Sequence, residues 1–151
     1  MKPISAYTDA EELRRLMANA KRLRNQDVYE QAFLRLCEVE GMNYLDPLER
    51  DFYAMLTAYE ELLAEKHGRK QPAARTRQKI KKKGFLACLE DWAISEKRTD
   101  GFETLVSRGH VELTGEYLVT KYPERFSARA VSNATSLMEM YKQVETTDGK
   151  R

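Results

Sequence analysis

The residues of this chain best suited to chemistry are its cations. Between Lys66 and Lys83 stand nine Lys or Arg (Lys66, Arg69, Lys70, Arg75, Arg77, Lys79, Lys81, Lys82 and Lys83) and not one Asp or Glu. The whole chain carries a net charge of +2, so the remainder holds −7. A mildly acidic body therefore contains a concentrated positive segment, and local rather than net charge governs what such a molecule attracts. The chemistry this predicts is anion binding. Closely spaced phosphates hold condensed counterions, and each phosphate neutralised by Lys or Arg releases one to bulk water.

Spacing narrows the expectation. In a helix over 73–83, Arg75, Gln78, Lys79 and Lys82 fall at i, i+3, i+4 and i+7 and share one face. Arg and Gln are the types that read guanine and adenine edges, and such a face can enter a major groove. Gly84 then separates the segment from an apolar helix, a layout loosely like a helix-turn-helix, although Ile80 is the only large apolar residue the basic part contributes. Gly68-Arg69-Lys70-Gln71-Pro72 lacks the Gly-Arg-Pro core of an AT-hook. The expected contact residues are Arg69, Lys70, Arg75, Arg77, Gln78, Lys79, Lys81, Lys82 and Lys83, and the expected partner is nucleic acid, DNA rather than RNA. The competing readings are a solvated linker, a segment that docks on the protein's own acidic helices, or an adaptor that grips an acidic protein partner. An accessory subunit of a nuclease or modification system would add a partner to the first reading. An anionic membrane surface fits poorly, because no aromatic-rich apolar face accompanies the cations.

Other chemistry is thin. His67 and His110 each adjoin a glycine that ends a helix, where a surface position is expected, and neither has His or Cys partners at metal spacing. No phosphate-cradling glycine loop, nucleophile elbow or strand-borne carboxylate pair is found. Glu112 and Glu116, four residues apart, are expected to pair with Arg108 and Lys121. No catalytic residue, metal or cofactor is expected, and the reading is of a non-catalytic protein. Tyr7, Tyr29, Tyr44, Tyr53 and Tyr122 are types on which bases stack, but most aromatics, Trp92 included, fall on core stripes. Cys37 and Cys88 lie among apolar neighbours far apart, as free buried thiols in a reducing compartment would. No stretch has the apolar length of a signal peptide or of a membrane span, so a cytoplasmic protein is expected.

The elements that must position these residues read as helices. Thr8-Asp9-Ala10-Glu11 has the form of a capping box, followed by Leu13, Leu16, Met17, Ala20 and Leu23 or Arg24 at helical spacing. Asn25-Gln26-Asp27 breaks that helix, and a second opens at Asp27, carries Val28 or Tyr29 with Ala32, Phe33, Leu36 and Cys37, and ends at Gly41 as a C-cap. Asp46-Pro47-Leu48-Glu49 opens a third, striped by Leu48, Phe52, Met55, Leu56, Tyr59, Leu62 and Leu63 and closed by Gly68. Beyond the basic segment, Phe85, Cys88, Leu89, Trp92 and Ala93 restart a core-facing pattern. Asp100 is expected to cap the next helix, Leu113 to Tyr122 forms another, and Ser127 caps the last. Tyr117 to Thr120 alone invites a strand, and it sits inside a helical rhythm. The expectation is an all-α fold of six to seven helices. It divides into an N-terminal three-helix unit (8–68), a basic connector or exposed helix (69–84), a C-terminal unit of short helices (85–142) and a flexible tail (143–151).

Overall fold

A computed structural model of the chain describes residues 2–70, 72–95 and 97–149. Every regular element among the described residues is helical. Eight α-helices form, rather than six or seven: α1 (Ala10–Arg22), α2 (Gln26–Gly41), α3 (Pro47–His67), α4 (Ala74–Lys83), α5 (Phe85–Ile94), α6 (Asp100–Ser107), α7 (Gly115–Lys121) and α8 (Ala128–Gly149). Three short 3-10 turns accompany them, at Ile4–Ala6, Val111–Leu113 and Pro123–Arg125. The count rises because the basic segment is a helix in its own right. Gly84, at φ +88°, takes a backbone conformation that side-chain-bearing residues rarely adopt, and so splits α4 from α5. Tyr117 to Thr120 lies within α7. The last helix continues to Gly149, past the boundary expected near 142, and residues 150 and 151 lie outside the described residues.

The chain separates into two compact units, Met1–Gln71 and Pro72–Arg151. In the first, α2 packs on both α1 and α3. Short connections make each sequential pair an αα-hairpin. The buried stripes are Leu13, Met17 and Ala20 on α1, Phe33, Leu36 and Cys37 on α2, and Leu48, Phe52, Leu56 and Leu62 on α3. Leu23, expected to extend the first stripe, is instead the C-cap of α1 and 68% exposed. Helix starts differ by a residue from expectation where two cap-competent residues adjoin. Asp9, not Thr8, accepts from Glu11 N, and Thr99, not Asp100, accepts from Phe102 N. Asp46 caps α3 as expected, with Pro47 at its first position and Gly68 at φ +71° closing it. Gly41 is no C-cap: it is the buried last residue of α2, and Met42 follows in right-handed conformation.

In the second unit α5 is central, packing on α4, α7 and α8, while α7 and α8 also pack together. Cys88, Leu89, Phe102, Leu105, Leu118, Val119, Ala130 and Ala134 are buried there. The N-terminus of α8 is fixed twice over. Ser127 Oγ accepts from Ala130 N as its cap, and the Glu90 carboxylate accepts from both Ser127 N and Ser127 Oγ. Cys37 and Cys88 are free and buried, and burial pushes both thiols up, away from the reactive thiolate form. Among the described residues no helix is long and apolar enough to cross a membrane.

Candidate nucleic-acid interface

The structure sorts the nine expected contact residues into two groups. Arg69 and Lys70 belong to the first unit, where they border a cleft of about 460 Å³ with Arg14, Tyr29, Glu61 and Glu65. Its lining mixes three carboxylates, Glu11, Glu61 and Glu65, with the cations Arg14, Lys21, Arg69 and Lys70. Arg14 reaches Glu61 at 3.1 Å, Glu11 at 3.1 Å and Glu40 at 3.7 Å, and the Tyr29 hydroxyl donates to Glu65 at 2.9 Å. Burial disfavours the Arg14 charge, but the Glu61 carboxylate, helped by Glu40 and Glu11, more than offsets it and raises the guanidinium pKa.

The other seven residues stand on α4 in the second unit. This helix buries none of its residues, carries six cations and no acid, and leaves Arg75, Arg77, Gln78, Lys81, Lys82 and Lys83 exposed. Such a helix resists its own formation. Arg75–Lys79, Arg77–Lys81 and Lys79–Lys83 are like-charge pairs at i, i+4, each costing roughly 0.2–0.5 kcal/mol. Two features offset that repulsion. Lys81, Lys82 and Lys83 occupy the last turn, where the helix dipole favours cations. Asp91 of α5 receives Lys79 Nζ at 3.0 Å and Lys83 Nζ at 3.5 Å. The hydrogen bond and charge of Lys79, with Lys83 behind, hold the Asp91 carboxyl below its ordinary range.

This anchoring corrects the expected face. Lys79 is half-buried against α5, so the outward surface is Arg75, Gln78 and Lys82 flanked by Lys81 and Arg77, with Lys83 at its border. Nothing in the one-letter pattern marks Asp91 as the partner, since it lies twelve positions from Lys79 on a different helix.

The aromatic candidates are engaged elsewhere. Tyr44 and Tyr53 stack on each other at 4.0 Å, Lys2 lies 4.2 Å over the Tyr7 ring, and Lys121 lies 5.5 Å from that of Tyr122. His110, expected at the surface, has its Nε2 buried. Glu116 is also placed differently from expectation. Expected in surface ion pairs, it is 4% exposed on α7 and takes a hydrogen bond from Thr99 Oγ1 at 3.5 Å. Burial pushes its carboxyl up to about 7, against its backbone hydrogen bond and the Thr99 hydroxyl, and no cation contributes. The only sequence signal was its place two residues after a Thr N-cap, in a helix otherwise apolar on that side. No protein family, curated protein or solved structure matches the chain.

Proposed function

We propose that the protein is a non-catalytic nucleic-acid-binding module that lays the outer face of α4 on phosphates, on DNA in preference to RNA. The observation that carries this reading is a whole helix without a buried residue or an acid, braced from behind by one carboxylate and lined outward with cations. A helix of that composition gains little from folding onto its own protein, because it has almost no apolar stripe to bury. Neutralising phosphates would relieve the repulsion among its own charges and release counterions at once. Gln78, between Arg75 and Lys82 on the exposed face, adds a side chain able to pair with adenine.

Fluorescence anisotropy of a labelled duplex over a salt series tests the reading. With Arg75, Arg77, Lys81, Lys82 and Lys83 on about five phosphates, log K should fall with log salt at a slope of about −4.5. Reversal of Arg75, Lys81 and Lys82 to Glu should weaken binding at least about 100-fold at low salt. Absence of binding to any duplex or single strand at low salt would overturn the proposal. Undiminished binding after the reversal would remove α4 from the contact, and a pull-down enriched in acidic proteins and free of nucleic acid would favour an adaptor.

Asp91 gives a second and more discriminating prediction. Asp91→Asn removes the carboxylate that, among the described residues, occupies Lys79 and Lys83. It should tighten duplex binding several-fold and steepen the salt slope by about one, as the freed Lys79 reaches a phosphate. An unchanged slope would show that Lys79 does not come within reach of the duplex.

A further inference from the structure

The second unit also contains a cavity of about 270 Å³ that the basic helix does not line. Its walls come from α5, α7, α8 and the segment before α6. Trp92 supplies an aromatic wall, Leu137 and Met140 of α8 supply an apolar one, Asn133 offers an amide, and Lys97 and Arg98 supply cations. Glu116 of α7 is the buried polar group that opens onto it. Its hydrogen bond from Thr99 is long, at 3.5 Å, and a carboxyl group has capacity for several partners. Arg98 is held in place by Tyr141, with its Nη1 3.3 Å from the phenol oxygen and its guanidinium 5.4 Å from the ring. A hollow walled in part by an aromatic ring and aliphatic side chains, onto which polar groups and a buried carboxyl converge, is a usual form of a small-ligand site.

We propose that this cavity binds a single purine nucleotide, with the base edge at Glu116 and the phosphate at Lys97 and Arg98. The shape and chemistry agree on that class. Its volume lies just below the roughly 300–1,000 Å³ of sites for drug-sized ligands, which suits one small heterocycle with its appended group. A flat ring fits beside Trp92, a phosphate needs the two cations, and a buried carboxyl reads a base by its Watson–Crick edge. A carboxylate accepts from the adjacent N1–H and N2–H donors of guanine. A protonated carboxyl instead donates to adenine N1 while accepting from N6–H.

Proton linkage is therefore part of the proposal, and the groups around Glu116 permit it to be read cleanly. Against α7, α5 presents Trp92 and Ala93 to the cavity, and α8 presents Asn133, Ala134, Ser136, Leu137 and Met140. The charged residues that line it with Glu116, among the described residues, are Lys97 and Arg98. Two 3-10 turns also pack on α7: Val111–Leu113 carries Glu112 and follows His110, Pro123–Arg125 carries Glu124 and Arg125, and none of these four lines the cavity.

Trp92 is the only tryptophan of the chain, so its fluorescence reports occupancy directly. The full chain is titrated with GMP, AMP and inorganic phosphate between pH 6 and pH 8. GMP should bind saturably and tighten as pH rises, and AMP should weaken over the same range. Glu116→Gln should abolish the opposition between the two trends, leaving only the tightening that both nucleotides share as their phosphate loses its second proton at about pH 6, and Arg98→Glu should weaken both about tenfold, or about 1.4 kcal/mol. Reversal of Arg75, Lys81 and Lys82 to Glu should leave these affinities unchanged, which separates failure of this site from failure of the duplex-binding face. A 5′-phosphorylated oligonucleotide binding more tightly than either mononucleotide would identify a strand end as the source of the nucleotide, and weaker binding a free one. The proposal is overturned if neither nucleotide binds saturably at about 5 mM, if inorganic phosphate binds as tightly as they do, or if both variants bind like the parent.

Discussion

Replacing Glu116 by Gln should make the second unit more stable at pH 8 and remove most of its pH dependence between pH 5 and pH 8. The carboxyl titrates at about 7 in the folded protein against an ordinary 4.5, chiefly because burial disfavours the charged form. Between those two values the folded state holds a proton that the unfolded state has lost, so stability falls as pH rises. The contribution of the buried neutral acid is complete below about 4.5 and is lost once pH passes about 7. Two and a half pH units correspond to about 3 kcal/mol, a large share of the stability of a small unit. Gln keeps the size and hydrogen-bonding capacity of the side chain without a charge to bury. Urea unfolding followed by Trp92 fluorescence, at pH 5, 6, 7 and 8, reads the effect in the unit that contains it. The parent should lose stability stepwise across that series while Glu116→Gln stays level. A parent that is equally stable at pH 5 and pH 8, or a variant less stable than the parent at pH 8, would refute the assignment. Asp91 does not confuse the result. Its pKa is lowered, so its contribution is present above the ordinary carboxylate range and is lost only at more acid pH than this series covers.

What was legible in the sequence and what was not divides along the line between local and distant causes. The start of α3 could be read letter by letter, since Asp46 caps the backbone two residues on and Pro47 needs no donor where it stands. The starts of α1 and α6 were read one residue away, because Thr8-Asp9 and Thr99-Asp100 each offer two competent caps and only the turn geometry selects one. Burial of Glu116 is a distant effect. Its spacing from Glu112 resembles an exposed helix face, and what removes it from water is α5, α8 and the cap of α6. The basic segment shows both kinds of cause in ten residues. Composition alone identified the cations and allowed a helix, yet the pairing that half-buries Lys79 depends on Asp91 of another helix, which no spacing within the segment shows. Seven of the nine expected contact residues share α4, while Arg69 and Lys70 fall on the other side of the division between the units.

Gly41→Ala should destabilise the first unit by about 3 kcal/mol, near the upper end of what overpacking costs. A Cβ built on Gly41 would lie 2.6 Å from the backbone oxygen of Arg50 and 3.1 Å from its Cγ. The oxygen belongs to α3, so relief requires moving one helix away from another rather than turning a side chain. The same letter at Gly68 has a different cause. There φ is +71° and nothing lies within 4 Å of an added Cβ, so Gly68→Ala meets backbone strain alone, about 1 kcal/mol, and Asn should be tolerated better than Ala. The pair makes a controlled comparison. If Gly41 served as a left-handed cap, Asn would be its mildest replacement. If close approach of α2 to α3 is what requires glycine, Asn must be at least as damaging as Ala. Urea unfolding by far-ultraviolet circular dichroism, with Trp92 fluorescence marking the second unit separately, measures all four variants. Near-neutral Gly41→Ala, or a Gly41→Asn milder than Gly41→Ala, would mean that the α2–α3 contact is looser than described. The expected order, with both Gly41 variants well below both Gly68 variants, would trace a glycine that ends a helix in sequence to a contact between helices in space.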